Sequence, residues 1–173
     1  MKHLLALSLL ALLLAACAPQ SPTPAPTTGD FAIYLLAENG PATLLDAAPL
    51  EEIALAETPI IAPADLLAYD TATHTMTVSE EAIARVRDLF ALPAPVGGIP
   101  FVVTAVGERI YAGAFWTPLS SLSYDGVTIL DPLTLSSVQP GDLRITLGYP
   151  TQEAFTGEDP RSDPRILEAV AGR

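Results

Sequence analysis

The stretch Gly97 to Trp116, G-G-I-P-F-V-V-T-A-V-G-E-R-I-Y-A-G-A-F-W, limits the fold more than any other part of this chain. Two β-rich arms flank Gly107, and a glycine opening a two-residue turn supplies the positive φ that a type II′ hairpin needs. With Gly107-Glu108 as that turn, Ala105 faces Ile110, Val103 faces Ala112 and Phe101 faces Ala114. This face, extended by Trp116, is wholly apolar and is expected on the core. The opposite face pairs Val106 with Arg109, Thr104 with Tyr111 and Val102 with Gly113, and it also carries Phe115. Tyr111 and Phe115 are therefore the candidate partner-contact residues. A slip of one residue would exchange the faces, so the expectation is sharp.

The start of the chain bears on compartment. Lys2 and His3 precede an apolar run, Leu4 to Leu14, interrupted by Ser8. That run is shorter than the ~20 residues that span a bilayer, and it suits the core of a secretory signal. The run ends in Leu14-Ala15-Ala16-Cys17, which resembles the lipobox of bacterial lipoproteins. The resemblance implies a signal peptide over 1–16, cleavage before Cys17 and lipidation of its sulfur. An ordinary signal peptide beside a chance cysteine is the alternative. No aspartate follows Cys17, so the resemblance implies the outer membrane where there is one, and otherwise the outer face of the plasma membrane. Ala18 to Gly29 holds four prolines and no charge. It cannot bury a core and reads, with Cys17, as a tether over 17–29.

The expected globular domain, 30–173, is of ordinary single-domain size. Once the signal is removed, seven arginines and no lysine face twenty acids, a net charge of −13. Such a balance argues against nucleic acid and against docking on anionic lipid through a basic patch. Cys17 is the one cysteine, so packing and not a disulfide must hold the domain.

Along the chain, Phe31 to Ala37 is apolar on both faces and suits a central strand. Glu51 to Ala56 reads as a second strand, and Pro63 to Tyr69 as a short helix opened by proline. His74 to Val78 alternates as a strand. Ser79 caps a helix, continuing to about residue 91, whose apolar stripe is Ile83, Val86, Leu89 and Phe90, with Glu81 and Arg85 as an i,i+4 pair. Pro118 to Ser123 is loop-like. Val127 to Leu130 and Leu143 to Leu147 read as strands. Asp159-Pro160-Arg161 recurs as Asp163-Pro164-Arg165, the second copy opening a C-terminal helix over about 164–171. Strands and helices mix without βαβ alternation. The expected class is α+β: one small domain with a mostly antiparallel sheet, including the hairpin over 100–116, packed against both helices.

From Thr58 to Trp116 the succession of short helix, strand ending in T-V-S-E-E-A, helix and hairpin with G-E-R-I-Y-A-G-A resembles the periplasmic head subdomain of the protein-export component SecD. The resemblance implies a fold for that third of the chain. The export function is not implied, because neither the following transmembrane helices nor the larger base domain is recognisable. With its G-Y-P and D-P-R-S-D-P-R-I-L patterns, the mature sequence also resembles small bacterial lipoproteins to which no activity is attached.

Catalytic options are few. After the signal the chain keeps one histidine, His74, and neither lysine nor a free thiol. That leaves no cysteine or lysine nucleophile and no multi-histidine metal site. Ser120, Ser121 or Ser123 would have to join His74 in a triad, yet no Gly-x-Ser-x-Gly elbow is present. Glu158, Asp159 and Asp163 could be weighed as calcium ligands, but each aspartate also reads as a cap before proline. Trp116, Phe115 and Tyr111 could form an aromatic platform, against the hairpin register that buries Trp116. No cofactor motif and no metal site emerge. The sequence reads best as a non-catalytic, lipid-anchored binding or accessory protein of the cell envelope, its partners the membrane through Cys17 and an envelope protein. A cell-surface hydrolase using paired carboxylates is the alternative. A solute-binding lipoprotein would need a second lobe.

Overall fold

The computed structural model describes residues 30–132 and 139–173; the expected signal peptide, Cys17 and the tether lie outside the described residues. Seven strands form one sheet: β1 (Ala32–Leu35), β2 (Leu66–Asp70), β3 (Thr75–Val78), β4 (Ile99–Ala105), β5 (Glu108–Trp116), β6 (Tyr124–Leu130) and β7 (Asp142–Tyr149). Their spatial order is β1-β4-β5-β6-β7-β3-β2, antiparallel except for the β5–β6 pair. Two helices, α1 (Glu80–Asp88) and α2 (Pro164–Val170), complete an α+β domain.

The sheet is strongly curled. Laid flat, seven strands at the usual spacing would separate the outer two by about 29 Å. Instead the ring of Phe31, one residue before β1, lies 6.0 Å from that of Tyr69 on β2. The concave side therefore encloses one main core, in which Phe31, Tyr69, Met76, Phe101, Phe115, Ile129 and Ile145 meet Val86 of α1 and Ile166 of α2.

Both helices start as their caps dictate. Ser79 accepts from the Ala82 N–H at 3.2 Å, and Ala82, Ile83 and Val86 are buried. Asp163 accepts from the Arg165 N–H at 2.9 Å, with Pro164 in the first turn and Ile166, Ala169 and Val170 buried. Arg85, however, pairs with Asp65 and not with Glu81. Asp65 is a junction: its carboxylate also accepts from the Ala62 N–H at 2.8 Å and the Ser79 hydroxyl at 2.9 Å, fixing the chain before β2 to the start of α1.

Several expectations are corrected. Pro63 opens only a single 3₁₀ turn, Pro63–Asp65, after which the chain extends into β2. The Phe31 to Ala37 segment gives β1 at the end of the strand order. Its two-sided apolarity still matches burial on both faces, with Phe31 and Ile33 in the main core and Leu36 in a second cluster with Ile53 and Val102; the outer edge of β1 is occupied by the chain near 54–61, with the Ile33 N–H donating to Ile61 O at 2.9 Å and the Ala56 N–H to Leu35 O at 2.9 Å. Of the strand expected over 51–56, only a Leu36–Leu55 bridge forms, after a 3₁₀ turn at Leu50–Glu52.

The largest correction concerns the hairpin. Val106 and Gly107 form the turn, with φ of 47° and 83°, so both central residues are left-handed, as a type I′ turn requires. Ala105 then pairs with Glu108 and Thr104 with Arg109, but Val103 pairs with Tyr111, leaving Ile110 as the extra residue of a bulge. Beyond it Val102 faces Ala112 and Phe101 faces Gly113. The first arm keeps its expected orientation, whereas the second exchanges faces. Tyr111 and Phe115 go to the main core, and Ala112, Ala114 and Trp116 to the convex side. The exchange puts the Tyr111 and Phe115 rings in place of Ala112 and Ala114 against the main core, while Trp116 is still buried, in its own cluster on the convex side; that burial outweighs a positive φ at a β-branched residue. Gly113 is required there: a Cβ would lie 2.6 Å from both Phe101 Cζ and the Val127 carbonyl.

Candidate functional site

The hairpin register decides where a site can lie. Tyr111 is 6% exposed and Phe115 is fully buried, so neither reaches the surface and their expected role as partner-contact residues is corrected. Phe115 packs on Phe101 with ring centroids 5.0 Å apart. Trp116, 2% exposed, is buried too, but on the convex side and not on the main-core face. It stacks on Tyr124 at 5.0 Å and leans on Tyr149 at 5.7 Å.

Trp116 is followed by a loop of unusual build. Parallel pairing of β5 with β6 obliges residues 117–123 to run back along the sheet, since Trp116 pairs with Leu130 and Gly113 with Val127. The Tyr149 hydroxyl pins this return by donating to Pro118 O at 3.3 Å and Ser120 O at 3.2 Å. The polarity of the loop is inverted. Thr117 and Ser120 are buried, at 1% and 6%, whereas Leu119 and Leu122 are exposed, at 68% and 53%. Local hydrogen bonds hold the hydroxyls inward: Thr117 Oγ1 accepts from the Leu119 N–H, and Ser120 Oγ accepts from the Leu122 N–H.

Ser120 also joins this loop to a second one. Its hydroxyl donates to Val96 O at 2.6 Å, within the segment from the end of α1 to β4. Pro93 and Pro95 stop the helix there, and Leu92 and Val96 stand exposed. Gly98 closes the segment over Trp116 with φ of +73°, and a Cβ would sit 2.5 Å from the indole ring. Beside it runs an open, mainly apolar groove lined by Leu35, Pro41, Leu89, Pro95 and Ile99. Of the six exposed large apolar residues among the described residues, four lie on these two linked loops; Leu67 and Leu167 stand apart. Scattered exposed leucines need no explanation, but a cluster beside an apolar groove does.

The residues weighed for chemistry are not brought together. His74 ends the turn just before β3 with φ of 51°, and its Nδ1 is buried without a hydrogen-bond partner. Burial and the Arg161 charge hold its imidazole below its ordinary pKa. Ser120 instead donates its hydroxyl to Val96 O, and no hydrogen bond joins a serine to His74 among the described residues. The two Asp-Pro-Arg copies fold alike. Asp159 accepts from the Arg161 N–H, Nε and Nη2 at 3.0, 2.8 and 2.7 Å; Asp163 accepts from the same atoms of Arg165 at 2.9, 2.9 and 2.7 Å. Arg165 holds the Asp163 carboxyl down to about 2, and Arg161 lowers Asp159. Each carboxylate is thus closed on its own arginine. Among the described residues no group of three or more His, Cys, Asp or Glu side chains is placed to hold a metal.

Reading the sequence missed the apolar end because L-P-A-P-V and P-L-S-S-L carry no strand or helix period. The available signal was large apolar residues set among turn formers. Comparison with protein-family models, curated proteins and solved structures finds no match to this chain.

Proposed function

We propose that the protein is a lipid-anchored, non-catalytic binding protein of the bacterial cell envelope, and that its partner-facing surface is the apolar end formed by loops 92–98 and 117–122. The inverted polarity of the second loop carries this reading: hydroxyls are sequestered while Leu119 and Leu122 are presented. An end presenting its apolar residues in this way is suited to a partner that covers them.

The position of the tether favours a protein as that partner. Ala32 pairs with Thr104 and Leu35 with Phe101, so Asp30 enters beside the 106–107 turn, at the other end of β4 from residues 92–98. The two ends of that seven-residue strand are about 20 Å apart. Attachment through Asp30 leaves the apolar end, on the opposite side of the domain, free to meet a partner away from the lipid. The surplus of acids also opposes a close approach to anionic lipid, and suits a partner whose apolar patch has a basic rim.

Support for a non-catalytic reading comes from the carboxylates. Among the described residues every displaced acid, Asp65, Asp70, Glu153, Asp159 and Asp163, is displaced downward. A carboxyl acting as general acid near neutral pH needs the opposite shift.

Site-specific photo-crosslinking in intact cells tests the reading. Cross-linkers at Leu92 and Leu119 are expected to give one reproducible protein adduct that a cross-linker at Leu167 does not. Adducts of equal yield at all three positions, or adducts to lipid alone, would overturn it.

A further inference from the structure

Asn39 is the only asparagine in the chain, and a glycine follows it. In an Asn-Gly pair the side-chain amide lies open to the next backbone nitrogen, because glycine sets no Cβ in the way and leaves the backbone free to turn. Asparagine is a thermolabile residue. A fold protects it by holding its amide, or the N–H that follows, in hydrogen bonds.

This fold holds neither. The pair sits in an arch between two fastened points. Before it, the Ala37 N–H donates to Ala54 O at 2.8 Å; after it, the Ala42 N–H donates to Gly97 O at 3.0 Å. Between them, among the described residues, the N–H groups of Glu38, Asn39 and Gly40 have no protein acceptor, and the Asn39 side chain makes no hydrogen bond. Asn39 is exposed and belongs to no helix or strand.

We propose that Asn39 is a self-modification site that converts to aspartate and isoaspartate. The Gly40 backbone nitrogen attacks Asn39 Cγ. The N–Cγ bond forms, the Cγ–Nδ2 bond breaks, and Nδ2 leaves as ammonia with the proton that the Gly40 N–H gives up. Water then opens the resulting succinimide. Cleavage at Cγ restores the ordinary backbone with an aspartate side chain. Cleavage at the Asn39 carbonyl carbon leaves isoaspartate, whose main chain runs through Cβ and Cγ. Nothing is oxidised or reduced; water is consumed and ammonia released, and either product carries a new carboxylate.

The position gives this chemistry a consequence. Asn39, Gly40 and Pro41 line the groove beside the apolar end, opposite residues such as Leu89 and Ile99, and every lining residue is uncharged. Modification sets a charge into that wall, and the isoaspartate product also lengthens the arch. For a partner that covers the groove, which rests on the reading above, occupancy falls as the protein ages.

Peptide mass spectrometry after incubation at mildly alkaline pH tests the site, on the intact folded protein and on the same protein unfolded in urea. Amide loss at Asn39 should proceed in the folded protein within a few-fold of the unfolded rate, with isoaspartate among the products. Gly40→Ala should slow it several-fold. That substitution suits the backbone, since Gly40 has no positive φ and the nearest atoms to an added Cβ all belong to the Leu44 side chain, the first at 2.5 Å. A folded rate an order of magnitude below the unfolded one, or equal rates in wild type and Gly40→Ala, would overturn the proposal. If Gly40→Ala does not fold, the folded and unfolded wild-type rates decide it. The consequence is read separately: Asn39→Asp should lower the adduct from the Leu92 cross-linker several-fold. An unchanged adduct would overturn the effect on binding. A wild-type protein that gives no adduct would overturn the reading above, leaving the modification to stand on the mass measurement.

Discussion

Phe115 and Leu119 are four residues apart, and one is fully buried whereas the other is 68% exposed. The contrast extends to the regions they belong to. Along β5, pairing with β4 and β6 fixes every second side chain toward the core, and the bulge at Ile110 turns Tyr111 and Phe115 inward. Beyond Trp116 no such ladder operates. The chain runs back over the sheet pinned through backbone carbonyls and hydroxyls, and those hydrogen bonds select polar side chains for the inside. Apolar character alone therefore does not place a residue in this molecule; the backbone's hydrogen-bonding partners do.

The comparison can be broken most severely from the strand side. Phe115→Ala removes a ring packed on Phe101 and is expected to cost about 3–5 kcal/mol in urea unfolding. A cost below 1 kcal/mol would mean that β5 does not face the core as described.

Asp65→Ala is expected to have an intermediate effect, about 2 kcal/mol, because it strips partners from the Ala62 N–H, the Ser79 hydroxyl and Arg85 together. It also predicts a pH dependence. Burial works to raise the Asp65 pKa, but hydrogen bonds from Ala62 and Ser79 and the Arg85 charge outweigh it, and the net shift is downward. A carboxyl depressed in the folded state binds its proton more readily when unfolded. Its stabilisation is thus complete above the unfolded value near 4 and is lost as pH falls through the folded value. Wild type should lose stability across that window more steeply than Asp65→Ala; parallel curves would contradict the junction.

The smallest effect is expected at the exposed end. Leu119→Glu and Leu92→Glu should each change stability by less than about 0.5 kcal/mol, while reducing the cross-linked adduct at the neighbouring position several-fold. A large stability loss would show that these leucines belong to the core after all.

How far such features could be read in advance also divides along these lines. Ser79 and Asp163 announce both helices, since a cap acts on the few residues beside it. The first hairpin arm was legible because Phe101, Val103 and Ala105 alternate. The second was not, because Gly107 can open a II′ turn or close a I′ turn, and the choice depends on what each register buries. Pro63 suggested a helix where only one turn forms, because pairing of Leu66–Asp70 with β3 overrides that local signal. The apolar end was the least legible, since its exposure follows from a tertiary path around Trp116 and not from any periodicity.

Trp116 is the one tryptophan in the chain. Its indole touches the position where a Gly98 side chain would be, and Gly98 is also part of the groove wall. The domain therefore carries its own fluorophore directly beneath its candidate binding surface. Anything that settles into that groove and displaces the glycine alters the ring's environment, so occupancy can be read as a change in emission without attaching a dye.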